Sequence, residues 1–252
     1  MSFPTVIYGA EGDQFKLYAG TRRTAQRHPF GAQMILEDGR KYRWAKAGGS
    51  DLVVGNVIQA AANVANHVDT TAAANAIDAL TLTTTLGATA ATIDQYFEGY
   101  ANISVDPGAG RLYKFGTTPV VASSGSFVGT LYVPFKILVA LTTTSRVDLL
   151  KNPYDNVIQA PATTLTGAIV GVAVAIILTS ETGNNWGWLQ TRGMASILTA
   201  GTLILGNNAT MPTGIGGAVG PAAATPIEAV IGVVQRVAAD TAWSAVWLTI
   251  DG

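Results

Sequence analysis

The feature that most constrains this chain is the rhythm of its second half. Short apolar runs at 168–179, 186–199, 201–206, 228–238 and 242–250 are separated by tight connections such as Ala200-Gly201 and Asp240-Thr241. Runs of this length, closed by turn-forming residues, suit strands better than helices. The longest apolar stretch, AIVGVAVAIIL at 168–178, is too short to cross a bilayer as a helix and reads as a buried strand or strand pair. Strands at this spacing predict an all-β chain built as a β-barrel or β-sandwich, with long loops and an extended N-terminal arm.

The first half carries similar signals. QMILEDGRKYRWA at 33–45 places Asp38-Gly39 between two apolar or aromatic runs, which predicts a hairpin with a type I′ turn. SDLVVGNVIQA at 50–60 reads as a short strand pair or a bent strand. Residues 59–92 are rich in Ala, Thr and Asn; extended structure is expected, with a short helix near 71–79 as the alternative. ATIDQYFEGYANISVD (91–106) and GRLYKFGTTPVV (110–121) flank a breaker-rich turn. From Leu131 to Leu141, Val133, Phe135, Ile137 and Val139 complete an alternation that predicts one buried face of a strand. Pro134 cannot donate to a ladder, so that strand belongs at an edge or at a bulge. KNPYDN at 151–156 is a loop, and NNATMPTGIGGAVGPAAATP at 207–226 is a long one, of the kind that is functional or covered by a neighbour. The expected division is a basic arm and hairpin over 1–46, a β-rich domain over 47–156 and a barrel-like domain over 157–252.

Only 12% of residues are charged, against 48% hydrophobic. So few charges suggest a surface that is neutral or covered by neighbours, as in an assembly component. The net charge of −1 gives no overall case for nucleic acid or an acidic membrane. The distribution is uneven, however. Residues 1–46 hold eight bases and four acids, +4, which leaves seven bases and twelve acids, −5, for the remainder. Arg22, Arg23, Arg27, Arg40, Lys41 and Arg43 are the candidates for docking on an acidic partner; an ordinary solvated face is the equal alternative.

Catalytic and metal-binding patterns are scarce. There is no cysteine, which removes disulfides, thiolate chemistry and Cys-ligated zinc. The two histidines, His28 and His67, lack metal-ligand spacing and read as loop or solvent histidines. SSGSFVG misses the nucleophile-elbow spacing. GIGGAVG at 214–220 lacks the third glycine of a dinucleotide loop and reads as a flexible or packed glycine loop. Asp94 and Glu98, four strand positions apart, would stand about 13 Å from each other, too far for a glycosidase pair, and read as surface charge. MSFPTVIYGAEGDQF has no charged segment leading into an apolar one, so no signal peptide is expected. No enzyme activity, cofactor, metal, nucleic acid or membrane partner is expected.

The aromatic row in GNNWGWLQTRG is the best candidate surface. In a strand, Trp186, Trp188, Gln190 and Arg192 share one face. Gly187 and Gly193 on the other face let a second segment approach closely. The row fits a core whose indole N–H groups reach backbone oxygens, or an oligomer interface; sugar stacking ranks third. Trp243 and Trp247 share a face of the last strand, and cross-strand pairing of the two tryptophan rows would account for them without a ligand.

The order LEDGRKYRWAKAGGSDLVVGNVIQA, DQYFEGYANIS, GRLYKF, VALTTTSRVDLLKNPYDNVI, GAIVGVAVAII, WGWLQTRGMASIL, GTLILGN, GAVGP and VIGVVQRV resembles tailed-bacteriophage head decoration proteins, also called cement or capsid-stabilisation proteins. The likeness covers most of 33–252 and lies in element order and phrases. It implies a non-enzymatic protein of the outer capsid surface, made in the host cytoplasm and often trimeric, that clamps neighbouring subunits of the major capsid protein. On that expectation residues 1–46 grip the shell through the six basic residues, and 167–252 forms the oligomer and the outward face. The alternative is a receptor- or glycan-binding fibre or spike module that uses Trp186 and Trp188.

Overall fold

A computed structural model describes residues 6–10, 12–13, 17, 26–179, 185–212, 214–222 and 229–251. Among the described residues seventeen strands form two sheets, one a curled half-barrel. In chain order they are β1 (Val6–Gly9), β2 (Gln33–Leu36), β3 (Lys41–Lys46), β4 (Val57–Gln59), β5 (Thr70–Ala72), β6 (Thr81–Thr85), β7 (Tyr100–Val105), β8 (Leu112–Lys114) and β9 (Ser126–Thr130). They continue as β10 (Arg146–Leu150), β11 (Ile158–Gln159), β12 (Ile169–Ala173), β13 (Trp186–Leu198), β14 (Asn208–Thr210), β15 (Gly220–Pro221), β16 (Val230–Arg236) and β17 (Trp243–Thr249).

The chain divides into two units. The larger joins residues 1–61 to 153–252, and the smaller is 62–152, inserted between them. This differs from the three consecutive segments read from the sequence. The region 1–46 is no separate arm, because β3 pairs with β13 from Trp186↔Lys46 through Trp188↔Trp44 to Gln190↔Tyr42. The larger sheet runs β1-β2-β3-β13-β17-β16-β14-β15, with β12, β4 and β11 branching from β13. At thirteen residues, β13 is about 44 Å long, enough to serve different neighbours along its length. Its first half pairs with β3 and β12, its second half with β17. Ala195, Ile197, Val246, Leu248, Ile231 and Val234 form the inner face.

The smaller sheet is β8-β7-β10-β5-β6-β9, antiparallel throughout. Its strands alternate buried and open positions, so one face supplies the core of Leu82, Ile103, Phe127, Val147 and Leu149. Phe115 packs edge-on against Phe127 at 5.6 Å within the same core.

Several local expectations change. The Asp38-Gly39 hairpin forms, but only Gly39 takes a positive φ, +83°, and its N–H donates to Leu36 O at 2.9 Å. That is a three-residue loop closed by a left-handed glycine, not a type I′ turn. Residues 71–79 contain no helix; 59–92 holds the short strands β5 and β6 among turns and bends, with one 3-10 turn, Ala65–His67. The alternation from Leu131 to Leu141 is not a strand. The Phe135 amide donates to Tyr132 O at 2.7 Å, turning the chain at Pro134, so only Leu131, Ile137 and Leu141 of the six apolar positions are buried. The expected strand 201–206 is irregular and ends in a turn, whereas the 207–226 loop carries β14 and β15. GIGGAVG is packed: Gly217 donates its N–H to Ala160 O and accepts from Val57, at 2.8 and 2.7 Å.

Candidate functional site

Arg40, Lys41 and Arg43 and the Trp-Gly-Trp row meet at the β3–β13 pair of the larger unit. There they mostly hold the fold together. Arg43 Nε and Nη2 donate to Asp251 Oδ2 and Oδ1 at 2.7 and 3.0 Å, and Nη1 donates to Gly31 O at 2.9 Å. This bidentate pair ties the C-terminal residues to β3. Burial alone pushes the Asp251 carboxyl up. The hydrogen bond and charge of Arg43, with Lys41 and Thr191 beside them, outweigh it and hold the carboxyl below its ordinary value. Arg43 is shifted up in turn, chiefly by its hydrogen bond to Asp251. Arg40 is buried and pairs with Asp38 across the hairpin loop. Its side chain lies over Gly193 (φ +85°), where an added Cβ would come within 2.7 Å of Arg40 Cγ. Arg40 and Arg43 are therefore spoken for inside the chain. Lys41 is half-buried, Arg27 is exposed, and Arg22 and Arg23 lie outside the described residues.

The tryptophan row does not present one open face. Trp186 is 8% exposed and Gln190 1%; Trp188 and Arg192 are half-buried. Trp186 stacks on Phe30 at 5.1 Å and on Trp44 at 6.1 Å, and Trp188 meets Trp44 at 5.0 Å and His28 at 5.4 Å. Gln190 braces its own strand, donating from Nε2 to the carbonyls of Arg192 and Met194 at 3.1 and 2.8 Å. It spans the register shift between Gln190 and Arg192. These residues build an interior cluster and its backbone support, which is the core reading of the row. The close approach expected at Gly187 and Gly193 is real but intramolecular, by Ile177 and Arg40.

The two tryptophan rows do not pair either. Trp243 lies opposite Leu198, and Trp247 lies between Met194 of β13 and Val233 of β16. This outer face is the open apolar surface of the half-barrel: Trp243 is 52% exposed, Trp247 42% and Met194 43%. Sequence spacing flagged the two tryptophans; only the register reveals their neighbours.

His67, expected in a loop or in solvent, is fully buried in the smaller unit. Its Nε2 faces Thr89 O at 2.8 Å and so carries the proton, which leaves Nδ1 to accept from the Tyr96 hydroxyl at 2.5 Å. Burial pushes the Tyr96 phenol up, so it remains a donor. Asp94 and Glu98 lie in a run of turns, with φ of +53° each, so strand spacing does not apply to them. Asp94 caps Thr118 N at 3.0 Å, and Glu98 is buried rather than a surface charge. No group of three or more His, Asp or Glu side chains stands ready for a metal among the described residues. No helix among them is long and apolar enough to cross a membrane. Comparisons with family models, curated proteins and solved structures give no match.

Proposed function

We propose that this chain is a structural virion protein that decorates a phage head and stabilises it, binding as an oligomer across neighbouring major capsid subunits. The observation that carries the reading is the open face of Trp243, Trp247 and Met194 on a chain with so few charges. Exposed apolar rows on a sheet are costly in water and fit a surface that a protein neighbour covers. A tryptophan offers up to about 250 Å². The exposed parts of the two indoles thus amount to roughly 230 Å², or about 6 kcal/mol at 25 cal/mol per Å² before the costs of association. Repetition over a lattice multiplies contacts of this size. The resemblance in element order and phrases to head decoration proteins supports the same assignment.

The test is co-sedimentation with phage heads stripped of the protein, beside the native mass in solution. Wild-type chain is expected to pellet with heads and to run as a trimer of about 78 kDa from its 26.0 kDa protomer. Trp243→Ser/Trp247→Ser is expected to stay in the supernatant. Pelleting unchanged by the double substitution removes this face from the interface; no pelleting of the wild type removes the decoration reading. The second reading, a glycan-binding virion module, draws on the same two indoles. Four residues apart on one strand face, they stand about 13 Å from each other, open to stacking on separate sugar rings. A shift of tryptophan emission on adding polysaccharide favours it.

A further inference from the structure

The smaller sheet has an open edge at β8. Ile103 N–H donates to Arg111 O and Phe115 N–H to Gly99 O, both at 2.9 Å, so Arg111, Tyr113 and Phe115 form the hydrogen-bonded pairs with β7. In an antiparallel ladder the residues between them turn their backbone groups the other way. Leu112 and Lys114 therefore point outward. The Lys114 carbonyl is taken by the Tyr132 amide at 2.8 Å. The N–H and C=O of Leu112 face a cleft of about 320 Å³ between residues 111–113 and the loop that carries Pro134, Phe135, Lys136 and Leu138.

Both walls are held in place. The Tyr113 hydroxyl accepts the Leu138 N–H at 3.1 Å. Ile137 donates to Ala79 O at 3.0 Å, and Asp78 donates to Ile137 O at 2.8 Å. The walls are apolar where they open: Leu112 is 53% exposed, Phe135 42% and Leu138 60%. Arg111, Lys114 and Lys136 supply the rim, and only Lys136 has an acidic partner among the described residues, Asp78. Charges alone at a sheet edge would serve to repel stray strands. A braced apolar trough beside an outward amide and carbonyl goes beyond that need.

We propose that this cleft binds an extended peptide segment with alternating apolar and acidic side chains, added as a strand on the β8 edge. One residue of the segment exchanges both backbone hydrogen bonds with Leu112. Its apolar side chains enter the trough between Leu112, Phe135 and Leu138, and its carboxylates, on the alternate face, meet Arg111. Main-chain pairing supplies affinity and the alternating pockets supply choice. The site lies wholly in residues 62–152 and does not rest on the decoration reading.

The test is fluorescence anisotropy of a labelled, end-capped heptapeptide of alternating valine and glutamate, titrated with the full chain. Saturable binding is expected. The lysine-for-glutamate peptide and a version N-methylated at every amide are each expected to bind at least about ten-fold more weakly. Arg111→Glu and Leu138→Asp, both at exposed positions, are each expected to weaken the glutamate peptide about ten-fold with unchanged circular dichroism. Absence of saturable binding overturns the proposal. So does equal binding of the glutamate and lysine peptides, or binding that neither Arg111→Glu nor N-methylation alters.

Discussion

Arg43→Ala separates two roles for one basic residue. If Arg43 docks on a partner, its removal leaves the isolated protein as stable as before. The geometry assigns it to the fold instead, through two bonds to Asp251 and one to Gly31 O. Hydrogen bonds to charged groups contribute about 1.5–3 kcal/mol each. Both side chains of the ion pair remain 25% exposed, so the low end applies, and the whole group is worth about 3 kcal/mol after solvent screening. For a domain of 150–250 residues each kcal/mol moves the midpoint by about 2–4 °C, which gives a loss of about 6–12 °C. The assay is selective, because all five tryptophans (Trp44, Trp186, Trp188, Trp243 and Trp247) lie in the larger unit. A thermal melt followed by tryptophan emission therefore reports on that unit alone. Arg43→Lys rescues only part of the loss, since a lysine cannot make the bidentate contact.

The pH dependence adds a second check. The folded Asp251 carboxyl titrates below its ordinary value of 3.8. Its stabilisation is fully present above the unfolded value and is lost as pH falls through the folded one. The gap between wild type and Arg43→Ala is therefore constant near neutrality and closes in acid, below the ordinary carboxylate range. An Arg43→Ala melt that coincides with wild type at neutral pH, or a gap that widens in acid, refutes the structural assignment.

Three further outcomes are expected. His67→Ala strands the Tyr96 hydroxyl and Thr89 O in the smaller unit; a loss of about 3 kcal/mol is expected in the near-ultraviolet circular dichroism of its tyrosines, with the tryptophan melt unmoved. Acrylamide quenching should resolve an accessible population, Trp243 and Trp247, from a protected one that includes Trp44 and Trp186; Trp243→Phe/Trp247→Phe should remove only the accessible one, and a uniform response contradicts the burial described. Gly232→Ala would place a Cβ 2.1 Å from the Trp247 carbonyl oxygen, a backbone clash that β16 and β17 relieve only by parting, so the urea midpoint of the larger unit should fall by the equivalent of about 3 kcal/mol.

What the sequence discloses is local. Gly39 ends a hairpin because glycine alone adopts its left-handed turn cheaply, and that is readable from Asp38-Gly39 between two apolar runs. The buried and open positions of β6, β7 and β10 alternate because period two is a backbone property. Where a single proline interrupts the alternation, as at Pro134, pattern and backbone part company: the six apolar positions match a strand, yet the chain turns at the residue that cannot donate.

Long-range pairing is not local, and the place of the tryptophan row depends on it. Trp186 and Trp188 share a two-residue spacing that suits a core or an interface alike. Their fate depends on which strand lies beside them, and β3, some 140 positions earlier, supplies Trp44 directly opposite Trp188. A thirteen-residue strand can change neighbours midway, and Gly193 sits beside the register shift where β13 turns from β3 to β17. The same transition that buries Trp186 leaves Met194 open, and with it Trp247 across the ladder. The buried row thus lies on the first half of β13, and the exposed row flanks its second half, at Met194 and across the ladder on β17, with the division at Gln190–Gly193. A glycine inside an otherwise strong strand is the sequence trace of that division, whereas nothing near His67 foretells a partner 29 positions away.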